Sequence, residues 1–258
     1  MKKAYVDLSR GQMHYRYAGE TGEPVILLHM SGSSSDEYET VGTILSARYR
    51  VYAIDLYGFG GSDRPENYLS FHENMETVLE FMDAMKIERA NLVGNLVGAN
   101  ISVHFCAEHP DRVLKAVFFH PCYNEDPKFF INMRHGPVYT PVFPAADGSH
   151  LAVIWSRCDK YGETPEVTDA RARCVHMAAD RGEALHWALC EDEDFESYVR
   201  RVQAPAKAFG YSKMDHKSVK QAADLMKNCK YELLDPASPY FARATPELCA
   251  QKIAEFIG

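Results

Sequence analysis

Imidazoles titrate near neutral pH and carboxylates accept protons, so His29, His120, His150, His135 and Asp215 are the first side chains to weigh. His120 is the leading general acid or base, because it ends an apolar run, Ala116 to Phe119, that would deliver it to a cavity at a sheet edge. Asp215 beside His216 is an alternative proton acceptor, although in a polar loop it equally reads as an ordinary exposed carboxylate. His150 belongs to a polar turn, Asp147-Gly148-Ser149-His150, that can reach down over a site, and His135 is of the same kind. Ser31, Asn95 and Tyr240 are polar neighbours able to bind substrate.

These residues surround one stretch, Leu92-Val93-Gly94-Asn95-Leu96-Val97-Gly98-Ala99-Asn100. An apolar run ends in Gly94, and a helix-like run follows Gly98. In the motif Gly-x-Ser-x-Gly such glycines let the chain bend sharply, so that the middle side chain stands exposed at the carboxyl edge of a sheet. Here the middle residue is Leu96, which cannot attack anything. A displaced nucleophile, Ser31 or Cys122, would need a base within hydrogen-bond reach.

What must position these residues is bounded by composition. The chain has 258 residues, enough for one large α/β domain with a substantial core. Its net charge of −8, without a lysine and arginine cluster, argues against a nucleic-acid partner. No apolar run approaches the roughly 18 residues of a membrane span, and the start lacks a signal-peptide core, so a cytoplasmic location is expected. Seven scattered cysteines with no Cys-x-x-Cys speak against a disulfide framework or a zinc site.

Along the chain, Ala4 to Leu8 and Met13 to Tyr17 read as a hairpin, and Val25 to Leu28 as a strand buried on both faces. Helix and strand patterns then alternate: Glu37 to Leu45, Val51 to Ile54, Phe71 to Met85, Ala90 to Val93, Ala99 to Glu108, Ala116 to Phe119. That alternation predicts a mostly parallel sheet covered on both sides. After His120-Pro121 it stops. The chain becomes rich in aromatic residues, proline and glycine, and then helical over Thr168 to Asp180, Glu183 to Leu189 and Asp192 to Val202. Strands Pro205 to Gly210 and Tyr231 to Leu234, with helices Ser218 to Lys227 and Pro246 to Ile257, complete it.

Leu28-His29 before a Gly/Ser loop, Asp55 before Gly58-Phe59-Gly60-Gly61-Ser62-Asp63, the Gly94 to Gly98 bend and His109-Pro110-Asp111-Arg112-Val113 occur in an order and spacing that resembles the α/β-hydrolase family. The resemblance covers almost the whole chain, more weakly from Tyr123 to Val202. It implies an α/β-hydrolase fold with core segments 1–122 and 203–258 and a helical cap, 123–202, roofing the site. It also places a catalytic histidine about seven residues before the proline opening the last helix. Counting back from Pro246 gives Pro239, and no histidine follows His216. Two of three triad side chains are thus missing.

The resemblance leaves a backbone device in place: the N–H groups of Met30 and Val97 as an oxyanion hole. His29 then either binds substrate or merely ties loops together, and Asp55 anchors the following turn. Cap aromatics Phe129, Phe130, Tyr139, Phe143 and Trp155, together with Leu96, read as core packing or as a largely apolar cavity suited to a small carbonyl compound. The expectation is a cofactor-independent enzyme acting on a carbonyl compound by polarisation and proton transfer, without an acyl-enzyme, as a lyase, isomerase, cyclase or water-attacking hydrolase. The alternative is a non-catalytic relative that binds a ligand or a protein partner. No metal or cofactor is expected, no nucleic-acid or membrane partner either, and a homodimer stays open.

Overall fold

The computed structural model describes residues 1–126, 128–133, 142–178, 182–192 and 194–258; His135 and Tyr139 lie outside them. Among the described residues eight strands form one sheet: β1 (Lys2–Leu8), β2 (Gly11–Ala18), β3 (Pro24–Leu28), β4 (Arg50–Ile54), β5 (Ala90–Asn95), β6 (Val113–Phe119), β7 (Ala206–Tyr211) and β8 (Cys229–Leu234). Their order across the sheet is β1-β2-β4-β3-β5-β6-β7-β8. β1 and β2 pair antiparallel, β2 meets β4 antiparallel, and every later pairing is parallel.

The pleat sends alternate side chains to opposite faces. In β3, Ile26 and Leu28 enter one core while Val25 and Leu27 enter the other. β6 does the same with Ala116 and Phe118 against Val117 and Phe119, and β7 with Ala206 and Ala208 against Phe209 and Tyr211. Helices Phe71–Ala84, Val97–Glu108 and His216–Leu225 cover the first face. Helices Glu39–Leu45 and Pro246–Ile257 cover the second. Central strands therefore read as unbroken apolar runs because neither face meets water.

Among the described residues between β6 and β7 lie five helices: Phe129–Met133, Ser149–Cys158, Pro165–Ala178, Ala184–Glu191 and Phe195–Arg201. The first two were not foreseen. Val153, Ile154 and Trp155 are mediocre helix formers, and the hydrophobic period they present is short. Packing of Ser149–Cys158 on Pro165–Ala178 outweighs that propensity. The expected helix from Glu37 also differs in detail, since Ser35–Tyr38 forms a 3-10 turn first, with Ser34 accepting the Asp36 N–H. Among the described residues no helix is long and apolar enough to cross a membrane.

Candidate active site

The bend between β5 and helix Val97–Glu108 keeps its sharp geometry although a hydrocarbon stands at its apex. Leu96 has φ +50° and ψ −118°, a conformation that costs a non-glycine residue about 1–3 kcal/mol. Its own backbone is held from both sides: the Leu96 N–H donates to Phe119 O at 2.8 Å, and Leu96 O accepts from Ala99 N–H at 2.8 Å. The flanking glycines are sterically required. A Cβ on Gly94 would lie 2.3 Å from Gly98 O, and one on Gly98 would lie 2.3 Å from Leu28 O.

The bend opens on a cavity of about 380 Å³, within the usual size range of small-molecule sites. Its floor is Leu96, Val97, Met30 and Ser31; His120, Asp215, Pro239 and Tyr240 stand on the core side. The helical segment supplies Phe129, Phe130, Arg157, Lys160, Arg171 and His186. Phe129 and Phe130 thus face the cavity, whereas Phe143 and Trp155 are 66% and 38% exposed and do not line it. The wall is largely apolar, as expected from sequence, and adds the cations Arg157, paired with Glu183 at 3.7 Å, Lys160 and Arg171, which the expectation did not include.

His120 is buried and sits at φ +50°. Its Nδ1 accepts the Tyr211 N–H at 3.0 Å, so the ring proton resides on Nε2. Burial pushes its pKa down to about 4, with the Asp215 charge opposing and His216 assisting. The ring also stacks on Tyr211, centroids 5.2 Å apart. His120 is therefore a neutral hydrogen-bond donor at pH 7; of the expected general acid or base roles this arrangement fits the acid one, because Nδ1 is engaged and Nε2 carries the proton. Asp215 lines the same cavity while capping helix His216–Leu225, its Oδ1 accepting the Lys217 N–H at 3.2 Å.

Several expected ligand contacts turn out to be internal ties. His29 is fully buried; its Nδ1–H donates to Met30 O at 2.8 Å and its Nε2 accepts the Leu56 N–H at 3.1 Å. Burial lowers its pKa, and it holds two loops together rather than facing the cavity. Asn95 lies beneath the apex, also buried: Nδ2 donates to Glu37 Oε1 at 2.6 Å and to Pro239 O at 2.9 Å, while Oδ1 accepts from the Tyr211 hydroxyl at 2.9 Å. With those contacts made it has no group to offer a ligand. His150 lines a separate cavity with His176 and Glu183, and its Nδ1 accepts the Ala145 N–H at 3.1 Å.

The remaining candidates face the cavity with their polar groups engaged. Ser31 donates its hydroxyl to Gly182 O at 3.0 Å, and Tyr240 donates to Cys158 O at 2.9 Å. Burial raises the Tyr240 phenol to about 12, against the nearby Arg171 charge. The Met30 N–H is turned toward the Glu37 carboxylate, 3.5 Å from Oε2, so the expected oxyanion donor is already directed at a negative charge. Val97 opens its helix at the cavity floor, where N–H groups and the helix dipole favour negative charge. Cys122 is no displaced nucleophile, since burial raises its thiol to about 12.

Arg171, on helix Pro165–Ala178, escaped the sequence reading. Its Nη2 donates to Ser31 O at 2.5 Å, the Tyr240 hydroxyl lies beside the guanidinium, and Nη1 is sealed from solvent with no well-formed hydrogen bond among the described residues. The signal was present: Thr168, Arg171, Cys174 and Ala178 recur at helical spacing, and three of the four are buried. A cation inside an inward stripe marks either a buried pair or a binding group.

Residues 23–142 match the family model described as alpha/beta hydrolase fold. Solved structures agree over the whole chain: a hydrolase from Pseudomonas aeruginosa superposes with a TM-score of 0.84 at 19% identity, covering 99% of this chain and 98% of that one. The enol-lactonase from Burkholderia xenovorans gives 0.81 at 18% identity, covering 98% and 99%. The protein therefore has the α/β-hydrolase fold.

Curated relatives with higher identity are named as hydrolases or as haloalkane dehalogenases. The 2-hydroxy-6-oxo-6-phenylhexa-2,4-dienoate hydrolase of Comamonas testosteroni is 39% identical over 124 residues, 45% of this chain and 42% of that protein. A haloalkane dehalogenase of Mycolicibacterium paratuberculosis is 34% identical over 143 residues, 52% and 47% of the two chains. The chain spans less than half the length of these curated relatives.

Proposed function

We propose that the protein is a cofactor-independent enzyme that binds a carbonyl compound bearing a carboxylate and transforms it without a covalent acyl-enzyme. Segment 123–202 acts as the cap, and Leu96 and Pro239 stand where a hydrolase would carry its nucleophile and histidine. One observation carries the reading: a single cavity wall combines the hydrogen-bond donors at the bend with the cations Arg157, Lys160 and Arg171. A carboxylate would sit against the Arg171 charge through a single charge-assisted contact, since Nη2 already donates to Ser31 O and Nη1 is sealed. The carbonyl oxygen would accept from Val97 N–H and His120 Nε2–H, as a neutral imidazole can polarise a carbonyl. Asp215 would take the proton. Lyase, isomerase, cyclase and water-attacking hydrolase chemistry share this arrangement. The Comamonas relative, named for an oxo-dienoate, supports the substrate class.

A second reading, ligand binding without turnover, draws on the engagement of both candidate proton carriers, His120 with Tyr211 and Asp215 with Lys217. Both are tested by incubating the purified protein with oxo-carboxylates and following substrate loss and complex formation. Arg171→Met is expected to weaken binding of 4-oxopentanoate about ten- to a hundredfold, the worth of a charge-assisted hydrogen bond, and to spare methyl 4-oxopentanoate. Equal loss for acid and ester would refute the anchor. Saturable binding with no turnover of any oxo-carboxylate would select the second reading.

A further inference from the structure

Behind Met30 and Tyr240 a small gap of about 10 Å³ adjoins the main cavity, and Glu37 and Arg171 both line it. We propose that Glu37 is a positioning residue: through one bridging water in this gap its carboxylate holds the Arg171 guanidinium in the cavity wall. The inference rests on the reading of Arg171 as the carboxylate anchor.

Each of the two charges is half satisfied. Glu37 is 4% exposed; Oε1 accepts from Asn95 Nδ2 at 2.6 Å, but Oε2 has only the Met30 N–H, at 3.5 Å. Arg171 uses Nη2 on Ser31 O and has the Tyr240 hydroxyl beside its guanidinium, and among the described residues the sealed Nη1 makes no well-formed hydrogen bond. Among the described residues no ion pair within 4 Å joins them, and the other guanidinium lining the gap, Arg243, is paired with Asp36 at 2.7 Å. A buried donor without an acceptor costs its full desolvation penalty, as does an under-used buried carboxylate oxygen. The gap matches about one water, and its wall offers the polar partners a buried water requires. That water donates an O–H to Glu37 Oε2 and accepts from Arg171 Nη1–H, which resolves both deficits at once.

The result is a continuous line from the floor of the bend to the helical segment: Tyr211 to Asn95, Asn95 to Glu37, Glu37 by water to Arg171, and Arg171 to Ser31. Gly32 fits the same picture, since a Cβ there would lie 3.1 Å from Arg171 Nη2. The guanidinium is thus oriented from beneath the bend, and its aim does not depend on its own helix alone.

The test is a double-mutant cycle with Glu37→Gln, Arg171→Met and the double variant, read by urea unfolding and by calorimetric binding of 4-oxopentanoate. Coupled residues make the double variant's loss in unfolding midpoint smaller than the sum of the single losses; additive losses overturn the pair. In binding, Glu37→Gln is expected to weaken 4-oxopentanoate about tenfold and leave methyl 4-oxopentanoate unchanged, with no further effect in the Arg171→Met background. Equal weakening of acid and ester overturns positioning in favour of a general packing role. If wild type does not bind 4-oxopentanoate, the anchor reading of Arg171 falls, and the unfolding cycle decides the pair by itself. Where Glu37→Gln does not fold, Glu37→Asp, which keeps the charge and retracts it by one methylene, takes its place in both readouts.

Discussion

Replacing His120 by asparagine removes a titrating group and little else. Asparagine tolerates the φ of +50°, and its Oδ1 falls near the position of imidazole Nδ1, so the Tyr211 N–H keeps an acceptor. The wild-type ring has a pKa of about 4 when folded and 6.5 as its ordinary value. Below pH 6.5 the unfolded chain binds a proton that the native chain refuses, so stability falls as pH falls toward 4. Integrating that difference gives a loss of about 2 kcal/mol between pH 7.5 and pH 5, and no appreciable loss above pH 7. Urea unfolding of both proteins across this range measures it. Wild type should lose about 2 kcal/mol more than His120→Asn, with the two curves converging in shape above pH 7. Parallel curves down to pH 5 would refute the claim that a buried, neutral imidazole with its proton on Nε2 faces the cavity.

Two further expectations concern the bend. Leu96→Ser restores a hydroxyl at the apex but no base beside it, so a fluorophosphonate probe should label neither this variant nor wild type at the site; covalent labelling seen by mass spectrometry would contradict the reading. Gly98→Ala forces a Cβ to within 2.3 Å of the Leu28 carbonyl oxygen, and a loss of more than about 2 kcal/mol in unfolding free energy is expected. A variant as stable as wild type would show that the bend is looser than its geometry implies.

The sheet could be read from the sequence because its central strands are buried on both faces and leave continuous apolar runs, as in Val25 to Leu28 and Ala116 to Phe119. The bend was legible from Gly94 and Gly98, each of which excludes a Cβ by contact with backbone. The site was less so. Asn95 and His29 carry chemistry-bearing groups at the right addresses, yet their hydrogen-bond partners, Glu37, Tyr211 and Leu56, come from distant parts of the chain. Sequence shows which group a residue carries and not which partner has already claimed it. His120 illustrates the same limit, because its tautomer is set by a backbone N–H in a strand 91 positions away. Arg171 was missed because charged residues on helices are usually solvent-facing, and only the burial of Thr168, Cys174 and Ala178 beside it shows otherwise.

The cavity draws its two kinds of polar group from two separate parts of the polypeptide. The cations Arg157, Lys160 and Arg171 all lie on the stretch between β6 and β7, while Val97 and His120 belong to the ends of sheet strands and the helix that follows one of them. On the proposed function, choice of compound and activation of its oxygen thus rest on different stretches of chain, joined through Glu37: exchanging the intervening helices is expected to redirect the protein to a differently charged molecule, while the strained apex, held by Phe119 O of β6 and the Ala99 N–H of its own helix, is inherited.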